Sequence, residues 1–264
     1  MSVFRADVLA GRVALITGGG SGIGAGIATT LAAHGARVAL CGRTAAKLDA
    51  VAERIRAAGG ECLPRTADVR KPEELEALVS AIDSQWGRLD ALVCSAAGNF
   101  LCPAVGLSAN GFSTVVDIDL KGTFHSCKAA FPLLSRHGGS IVNLSATLQY
   151  TGTPLQLHAS AAKAGIDALT RNLAVEWGPA KIRVNAVAPG PIDDTEGMSR
   201  LAPGDIKRTL EGRIPLGRFG RIDEIADVVL FLISPASSYT TGAIVVVDGG
   251  QWLANAGLGT ALFG

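Results

Sequence analysis

The amino-acid sequence predicts a single-domain α/β protein of the Rossmann type, with a doubly wound parallel sheet of about seven strands and helices on both faces. Short apolar runs rich in β-branched residues alternate with longer helical patterns along the 264 residues. Most of these runs are apolar at nearly every position, which is typical of strands that helices cover on both faces. A chain of this length can bury one large core but is short for two full domains.

The elements follow this alternation in chain order. Apolar runs, of which 62–69 is the weakest, predict strands at 12–18, 37–42, 62–69, 91–96, 140–146, 182–190 and 242–250. The patterns between them predict helices at 22–34, 45–58, 72–86, about 110–136, about 155–178 and 223–233. The remaining long stretch, at about 191–220, is polar and glycine-rich. Long connections within a compact domain often act as lids, so we expect this segment to cover the substrate.

Composition limits the classes of function. The formal net charge of +1 gives no support to a nucleic-acid or membrane-surface role. No run reaches the roughly 18 apolar residues of a membrane-spanning helix. The sequence shows neither a signal-peptide pattern nor a C-terminal address of the S-K-L type. The five cysteines have no C-x-x-C spacing, which indicates free thiols in a reducing compartment and no metal site. We therefore expect a cytoplasmic protein.

A glycine-rich segment joins the first predicted strand to the first predicted helix. It reads ITGGGSGIGAGIA over residues 16–28. Glycines here allow a tight turn and let backbone N–H groups approach a pyrophosphate at the N-terminus of the helix. Turns attract glycine in any case, so a purely structural turn is the alternative. The predicted cofactor residues in this segment are Gly18, Gly20, Ser21, Gly22 and Ile23.

The end of the second strand indicates which dinucleotide binds. An NAD site usually offers a carboxylate there to the ribose 2′-hydroxyl. This strand ends in Cys41, Gly42 and Arg43, without an acid. A guanidinium can hold the 2′-phosphate of NADP through two charge-assisted hydrogen bonds. The sequence therefore predicts NADP(H), with Arg43 as an ordinary solvated cation as the alternative.

Seven segments together resemble the short-chain dehydrogenase/reductase family over nearly the whole chain. They are TGGGSGIG (17–24), ADV (67–69), SAAG (95–98), DIDLKGTF (117–124), AAKAG (161–165), IRVNAVAPGPI (182–192) and GAIVVVDGG (242–250). The resemblance implies that Lys163 holds the nicotinamide ribose. It also implies adenine, ribose and nicotinamide contacts from Asp68, Val69, Ala96, Ala97, Gly98, Pro189, Gly190 and Ile192. Members of this family are commonly tetramers that pair the two long helices around the fifth strand, which implies a homotetramer.

The chain departs from this family at three catalytic positions. The family's usual tyrosine, serine and asparagine positions fall on Ala159, Ala146 and Asp119, so only the lysine remains. Tyr150 follows the fifth strand and is close enough in sequence to reach the cleft, so a catalytic role for it stays open.

Loss of the tyrosine favours one kind of reduction over another. A ketone, once reduced, must be protonated on oxygen, and a tyrosine beside a lysine suits that transfer. Conjugate reduction of a carbon–carbon double bond leaves an enolate, which needs hydrogen-bond donors, and its proton goes to carbon. The segments SAAGNFLCP (95–103), DID (117–119), NLSATL (143–148) and LAVEWGP (173–179) resemble one branch of the family, the peroxisomal-type 2,4-dienoyl-CoA reductases. That resemblance implies NADPH-dependent reduction of 2,4-dienoyl-CoA to 3-enoyl-CoA in unsaturated fatty acid β-oxidation.

The same resemblance implies roles for individual residues. Asp119 and Lys163 would position a proton-donating water, Asn99 would donate to the thioester oxygen, and Phe100 would pack against the acyl chain. The alternatives are that Asp119 only neutralises Lys163, that Asn99 caps its own backbone, and that Phe100 is ordinary core. Candidates for binding the CoA ester are Arg70, Ser108, Asn110 and Arg200.

These candidates also have simpler readings. Exposed arginines are usually only solubilising, and Ser108 is a plausible N-cap. His158 is expected to be a helix-start residue without a catalytic duty. Two other functions stay open: another short-chain enzyme (a 2-enoyl thioester reductase or a carbonyl reductase that recruits Tyr150), or an NADP-binding family member that has lost catalysis.

Overall fold

The computed structural model describes residues 3–193, 195 and 205–254, and their core is one seven-stranded parallel sheet. The strand order is β3-β2-β1-β4-β5-β6-β7. The strands are Val13–Thr17 (β1), Arg37–Gly42 (β2), Cys62–Thr66 (β3), Ala91–Cys94 (β4), Gly139–Leu144 (β5), Ile182–Pro189 (β6) and Ile244–Val247 (β7). Every neighbouring pair is parallel, so the predicted fold class is confirmed.

Helices connect the strands and cover both faces of the sheet. They are Gly22–Ala33 (α1), Ala45–Ala57 (α2), Pro72–Trp86 (α3), Ala109–Val116 (α4), Gly122–Leu134 (α5), Leu148–Thr151 (α6), Leu157–Trp177 (α7), Asp205–Glu211 (α8), Ile222–Ile233 (α9) and Gln251–Ala254 (α10). The strand order reverses between β1 and β4, and ligands of such sheets bind beside a reversal of this kind, at the carboxyl ends of the strands.

The core explains why the strands are apolar at nearly every position. Ala14 and Ile16 of β1 point into one buried cluster, whereas Val13 and Leu15 point into another on the opposite face. Strand side chains alternate between faces, so a strand buried on both sides needs apolar residues throughout. Full burial of one such large side chain contributes about 1.5–3 kcal/mol to folding. The packing of helices on both faces therefore fixes the sheet that carries the site.

One predicted helix is interrupted in the structure. The pattern at about 110–136 predicts a continuous helix, but α4 and α5 are separated by a π-helical stretch, Asp117–Lys121. A π turn holds an extra residue, and such turns occur often at functional sites. Here the wider turn places Asp119 inward, where its side chain is buried. The prediction of one regular helix is therefore wrong over the stretch that contains Asp119.

The segment at about 191–220 is described only in part. Ile192 is buried and forms an isolated parallel bridge with Gly220, and α8 lies between them in the chain. Arg200, a predicted substrate residue, lies outside the described residues. Of the helices in the described ranges, none has the length and apolar character needed to cross a membrane.

Candidate active site

The glycine-rich turn after β1 has the geometry of a phosphate-binding loop. Gly18 has a φ of 68°, and a Cβ there would lie 2.7 Å from the carbonyl oxygen of Ser95. Gly22, with a φ of 51°, is the first residue of α1, so the backbone N–H groups of that helix start open toward this turn. The side chain of Ser21 makes no capping hydrogen bond to the helix. Bare backbone, positive φ and a helix N-terminus fit a dinucleotide pyrophosphate.

A threonine ties the next predicted cofactor segment to this turn. The Oγ1 of Thr17, at the end of β1, accepts hydrogen bonds from the backbone N–H groups of Ser95 (3.2 Å) and Ala96 (3.4 Å). Those residues begin the turn that continues through Ala97 and Gly98. The carboxyl end of β6 supplies Pro189, followed by Gly190. The structure thus brings the predicted ribose and nicotinamide segments to one edge of the sheet.

The adenosine end of the expected cofactor site carries a tight ion pair. Both carboxylate oxygens of Asp68 accept hydrogen bonds from the Arg70 guanidinium, at 2.5 to 3.0 Å. These hydrogen bonds lower the pKa of Asp68 to about 2, and the charge of Arg43 adds to the effect. Arg43 itself is exposed at the end of β2, whereas Val69 is buried. The guanidinium of Arg70 is therefore already bound to Asp68. A phosphate that binds Arg70 would either share the guanidinium with the Asp68 carboxylate or displace that carboxylate.

Asp119 and Lys163 form a buried ion pair beneath this edge of the sheet. Lys163 Nζ lies 3.2 Å from Oδ2 of Asp119, and the two residues are only 7% and 1% exposed. The other carboxylate oxygen accepts a hydrogen bond of 2.7 Å from the backbone N–H of Gly98. Lys163 also donates to the carbonyl oxygen of Leu144, at 2.9 Å, at the end of β5. The pair links the π turn, the turn after β4 and α7, so removal of either partner would leave a buried charge uncompensated.

The neighbouring hydroxyl groups do not replace the missing serine and tyrosine. The two alanines at those positions leave no side-chain hydroxyl there, and Ala159 is buried in α7. Ser145, beside Ala146, is buried and donates a hydrogen bond of 2.6 Å to Asp167. Tyr150 lies in the short helix α6, and its phenol also donates to Asp167. Both hydroxyls are directed to the same buried acid.

The turn after β4 and the start of α7 contact each other and form one wall beside the ion pair. The Asn99 side-chain amide donates a hydrogen bond of 2.5 Å to Oε1 of Gln156, and the Cys102 N–H donates to the Leu155 carbonyl oxygen at 2.9 Å. Phe100 is 40% exposed, so it is not ordinary core. Its ring lies over the ring of His158. The amide of Asn99 therefore fastens two loops together, rather than capping its own backbone.

The remaining predicted substrate residues lie at the start of α4. The hydroxyl of Ser108 accepts a hydrogen bond of 3.0 Å from the Gly111 N–H, which confirms it as the N-cap of this helix. Asn110 is exposed in the first turn, and its carbonyl oxygen accepts from the Thr114 hydroxyl. The N-cap role explains Ser108 by itself, so a CoA contact for either residue stays a prediction.

Two residues of the site, Asp167 and Gln156, were not predicted from the sequence. Asp167 gathers Ser145, Gln149 and Tyr150 by hydrogen bonds, and Gln156 holds Asn99. A buried acid on the inward face of a helix, four residues after the lysine, was the signal available for Asp167. Gln156 gave no such signal, because its partner lies far away in the chain. No three His, Cys, Asp or Glu side chains of the described residues are grouped so that they could share a metal ion.

The fold and this edge of the sheet define a nicotinamide-dependent oxidoreductase. Residues 18–251 match the family model described as enoyl-(acyl carrier protein) reductase. The chain therefore belongs to the short-chain dehydrogenase and enoyl reductase family. Among solved structures it is similar to a short chain dehydrogenase from Bacillus anthracis, with a TM-score of 0.83, 40% identity, and coverage of 91% of this chain and 96% of that one.

Curated relatives are similar over nearly the whole chain. A Danio rerio protein named as a peroxisomal 2,4-dienoyl-CoA reductase that produces (3E)-enoyl-CoA is 50% identical over 258 residues, which are 96% of this chain and 86% of that protein. A Bacillus subtilis protein named "Probable 2,4-dienoyl-CoA reductase", with (2E)-enoyl-CoA as its product, is 40% identical and covers 92% of this chain and 97% of its own length. The resemblance drawn from the sequence is confirmed, and the two names differ in the position of the product double bond.

Proposed function

We propose that this protein is an NADPH-dependent 2,4-dienoyl-CoA reductase that converts 2,4-dienoyl-CoA into 3-enoyl-CoA in the β-oxidation of unsaturated fatty acids. One observation carries the proposal: the buried pair of Asp119 and Lys163 stands beside Ala146 and Ala159, where a ketone reductase of this family has a serine and a tyrosine. The name of the Danio rerio relative supports the same activity.

The substrate chemistry explains why the phenol is dispensable. When bound, NADPH would supply the hydride for this reduction, and the hydride would be accepted at C5 of the dienoyl chain. The electron pairs of the two double bonds then shift toward C1, so negative charge spreads onto the thioester oxygen as an enolate. Preorganised donors stabilise such charge more strongly than water does, because they need no reorganisation. Protonation at C2 gives the 3-enoyl product, whereas protonation at C4 gives the 2-enoyl product.

The chain's own residues control where that proton arrives. Lys163 donates a hydrogen bond to the Leu144 carbonyl oxygen and pairs with Asp119, so two contacts orient its ammonium group. Asp119 is fixed in turn by Gly98. We assign to this pair the positioning of a water that delivers its proton to C2. Lys163 would also bind the nicotinamide ribose. It would therefore help to position both the cofactor and the proton-donating water.

The cofactor and the CoA ester would be held by the residues around this pair. The turn from Gly18 to Ile23 would hold the pyrophosphate, and Arg43 would hold the 2′-phosphate of NADP. Phe100 would contact the acyl chain. The CoA phosphates would be bound by Arg70 and Arg200, and the segment at about 191–220 would cover the substrate. Ile192 is buried, so its contact with the nicotinamide amide would come from its backbone.

One assay separates this function from its alternatives. NADPH oxidation is followed with 2,4-hexadienoyl-CoA, with crotonyl-CoA and with a simple ketone, and the product is identified by NMR. We expect turnover of the dienoyl substrate alone, with the product double bond at C3. Turnover of crotonyl-CoA or of the ketone instead would indicate another short-chain enzyme. Tight NADPH binding without any turnover would indicate a family member that has lost catalysis.

Assembly and location complete the proposal. Phe124 of α5 is 44% exposed and Val175 of α7 is 79% exposed. Apolar side chains exposed on both long helices support pairing between copies, so we propose a homotetramer, which light scattering after size exclusion would test. The cytoplasmic location stays our prediction, although the Danio rerio relative is named peroxisomal. Fractionation of source cells with a specific antibody would decide between the two compartments.

A further inference from the structure

His158 is a buried side chain that the proposed mechanism does not yet use. It is the second residue of α7 and precedes Ala159, the position of the absent tyrosine. Its side chain is 0% exposed, and neither Nδ1 nor Nε2 has a hydrogen-bond partner among the described residues. A buried polar group without a partner costs about 1–3 kcal/mol. Such groups are rare in native proteins, so each requires a partner or a role that explains it.

The surroundings of the imidazole place it against the proposed substrate cleft. The ring centroids of His158 and Phe100 are 4.3 Å apart, with an angle of 47° between the planes. Phe100 is itself partly exposed, so its ring shields the imidazole on one side and meets solvent on the other. The residue expected to contact the acyl chain therefore covers an unpaired hydrogen-bonding group.

The imidazole is suited to donate without carrying charge. Burial lowers the pKa of His158, and Asp119 and the Phe100 backbone raise it by less. The ring is therefore neutral near pH 7, and a neutral imidazole carries one N–H donor and one acceptor nitrogen. The Phe100 backbone lies near the ring but makes no hydrogen bond of normal geometry to it.

The other donors at this wall each give at least one N–H to a protein partner. The side-chain amide of Asn99, the donor that the sequence predicts for the thioester, is bonded to Gln156. Lys163 is bonded to Leu144 and Asp119. We propose that His158 donates a ring N–H hydrogen bond to the thioester oxygen of the acyl-CoA and stabilises the enolate, once Phe100 turns to lie along the acyl chain. This inference rests on the proposed function and differs from our sequence-based expectation that His158 is a helix-start residue without a catalytic duty.

Two substitutions test the proposal. H158F keeps an aromatic ring against Phe100 and removes both unpaired nitrogens, so it should fold at least as stably as the wild type. We expect its kcat with 2,4-hexadienoyl-CoA to fall by about 10² or more, as for loss of one oxyanion donor. KM and NADPH affinity should change little, because the contact strengthens only with the developing charge. H158Q retains an N–H donor and should recover part of kcat.

A matched control and an independent measurement complete the test. H34F removes a buried histidine at the C-terminal end of α1, remote from the cleft, and should leave kcat unchanged. In wild-type enzyme with NADP and 3-enoyl-CoA, ¹⁵N NMR should show a shift of the His158 ring nitrogens that H34F preserves. Full kcat in H158F, or unshifted ring resonances, would overturn the inference. If the wild type itself fails to reduce the dienoyl substrate, the proposed function falls, and this inference with it.

Discussion

The phenol of Tyr150 donates a hydrogen bond of 2.9 Å to Oδ2 of Asp167, an acid buried in α7. Burial and this negative charge raise the pKa of Tyr150 to about 12. The rings of Tyr150 and Trp252 also pack together, with centroids 5.4 Å apart. A phenol held in this way is a poor proton donor and is turned toward structure, which argues against a carbonyl reductase that recruits it.

The substitution Y150F should therefore affect stability more than catalysis. It removes one hydrogen bond to a carboxylate that keeps two others, so we expect the free energy of unfolding to fall by about 1 kcal/mol. Turnover of 2,4-hexadienoyl-CoA should stay within about twofold of the wild type. Urea unfolding and steady-state kinetics check the two values. A tenfold loss of turnover at unchanged stability would restore Tyr150 as the acid.

Substitution of Asp119 should distinguish its two possible roles, which are positioning a proton-donating water and neutralising the charge of Lys163. If it positions the proton-donating water, D119A should lower kcat by about 10² or more. D119N keeps an acceptor for the Gly98 N–H but loses the charge beside Lys163, so it serves as the matched control for the shape of the turn. We expect D119N to be less stable than the wild type, because the buried ammonium of Lys163 loses its charged partner, and to be nearly as inactive as D119A. A change of less than about threefold in both variants would favour simple neutralisation of Lys163.

The charge at Arg43 should decide cofactor preference. R43D replaces the proposed 2′-phosphate ligand with a carboxylate that repels it, and should reverse the preference for NADPH over NADH. R54D makes the same charge change at an exposed position in the last turn of α2, away from the turn after β1, and should leave that preference alone. Fluorescence titration with both nucleotides measures the ratio. An R43D protein that still prefers NADPH would contradict the assignment.

The ion pair of Arg70 and Asp68 predicts a pH dependence. The pKa of Asp68 is lowered to about 2 in the folded protein from an ordinary value of 3.8. The carboxylate therefore stabilises the fold above about pH 4, and this contribution is lost as the pH falls toward 2. In R70Q the pKa of Asp68 should rise toward its ordinary value, and the stability difference from the wild type should shrink on acidification. Carboxyl ¹³C NMR titration follows the first effect, and an unmoved pKa would show that Arg70 is not its cause.

Much of the fold could be predicted because its causes are local in the chain. Strands buried on both faces need apolar residues throughout, and that requirement located each of the seven strands to within a few residues at either end. The π turn could not be predicted, since one added residue in a helix hardly changes the hydrophobic period over Asp117–Lys121. The tertiary packing around Asp119, and not the sequence pattern, distinguishes this π turn from a regular turn of α-helix.

The candidate site likewise has residues whose arrangement could be predicted from the sequence and residues whose arrangement could not. The family resemblance implies that Asp119 and Lys163 act together, and the structure places them in one ion pair. The loop contact between Asn99 and Gln156 joins residues 57 apart in the chain, and no local rule gives their proximity. His158 has the sequence signal of an ordinary helix start, and only burial together with its unpaired nitrogens distinguishes it.

The π turn also allows two requirements to be met along one helical stretch: an apolar face must pack on the sheet, and Asp119 must face Lys163. After it, α5 buries Cys127, Ala130, Leu133 and Leu134 against the sheet in regular helical spacing. Within it, Asp119 faces Lys163 instead. The extra residue rotates the π turn relative to α5 about the helix axis. The side chain of Asp119 can therefore point in a direction that does not depend on which face α5 buries. A substitution at Asp119 would therefore change what faces Lys163 while the apolar face of α5 keeps its contacts with the sheet.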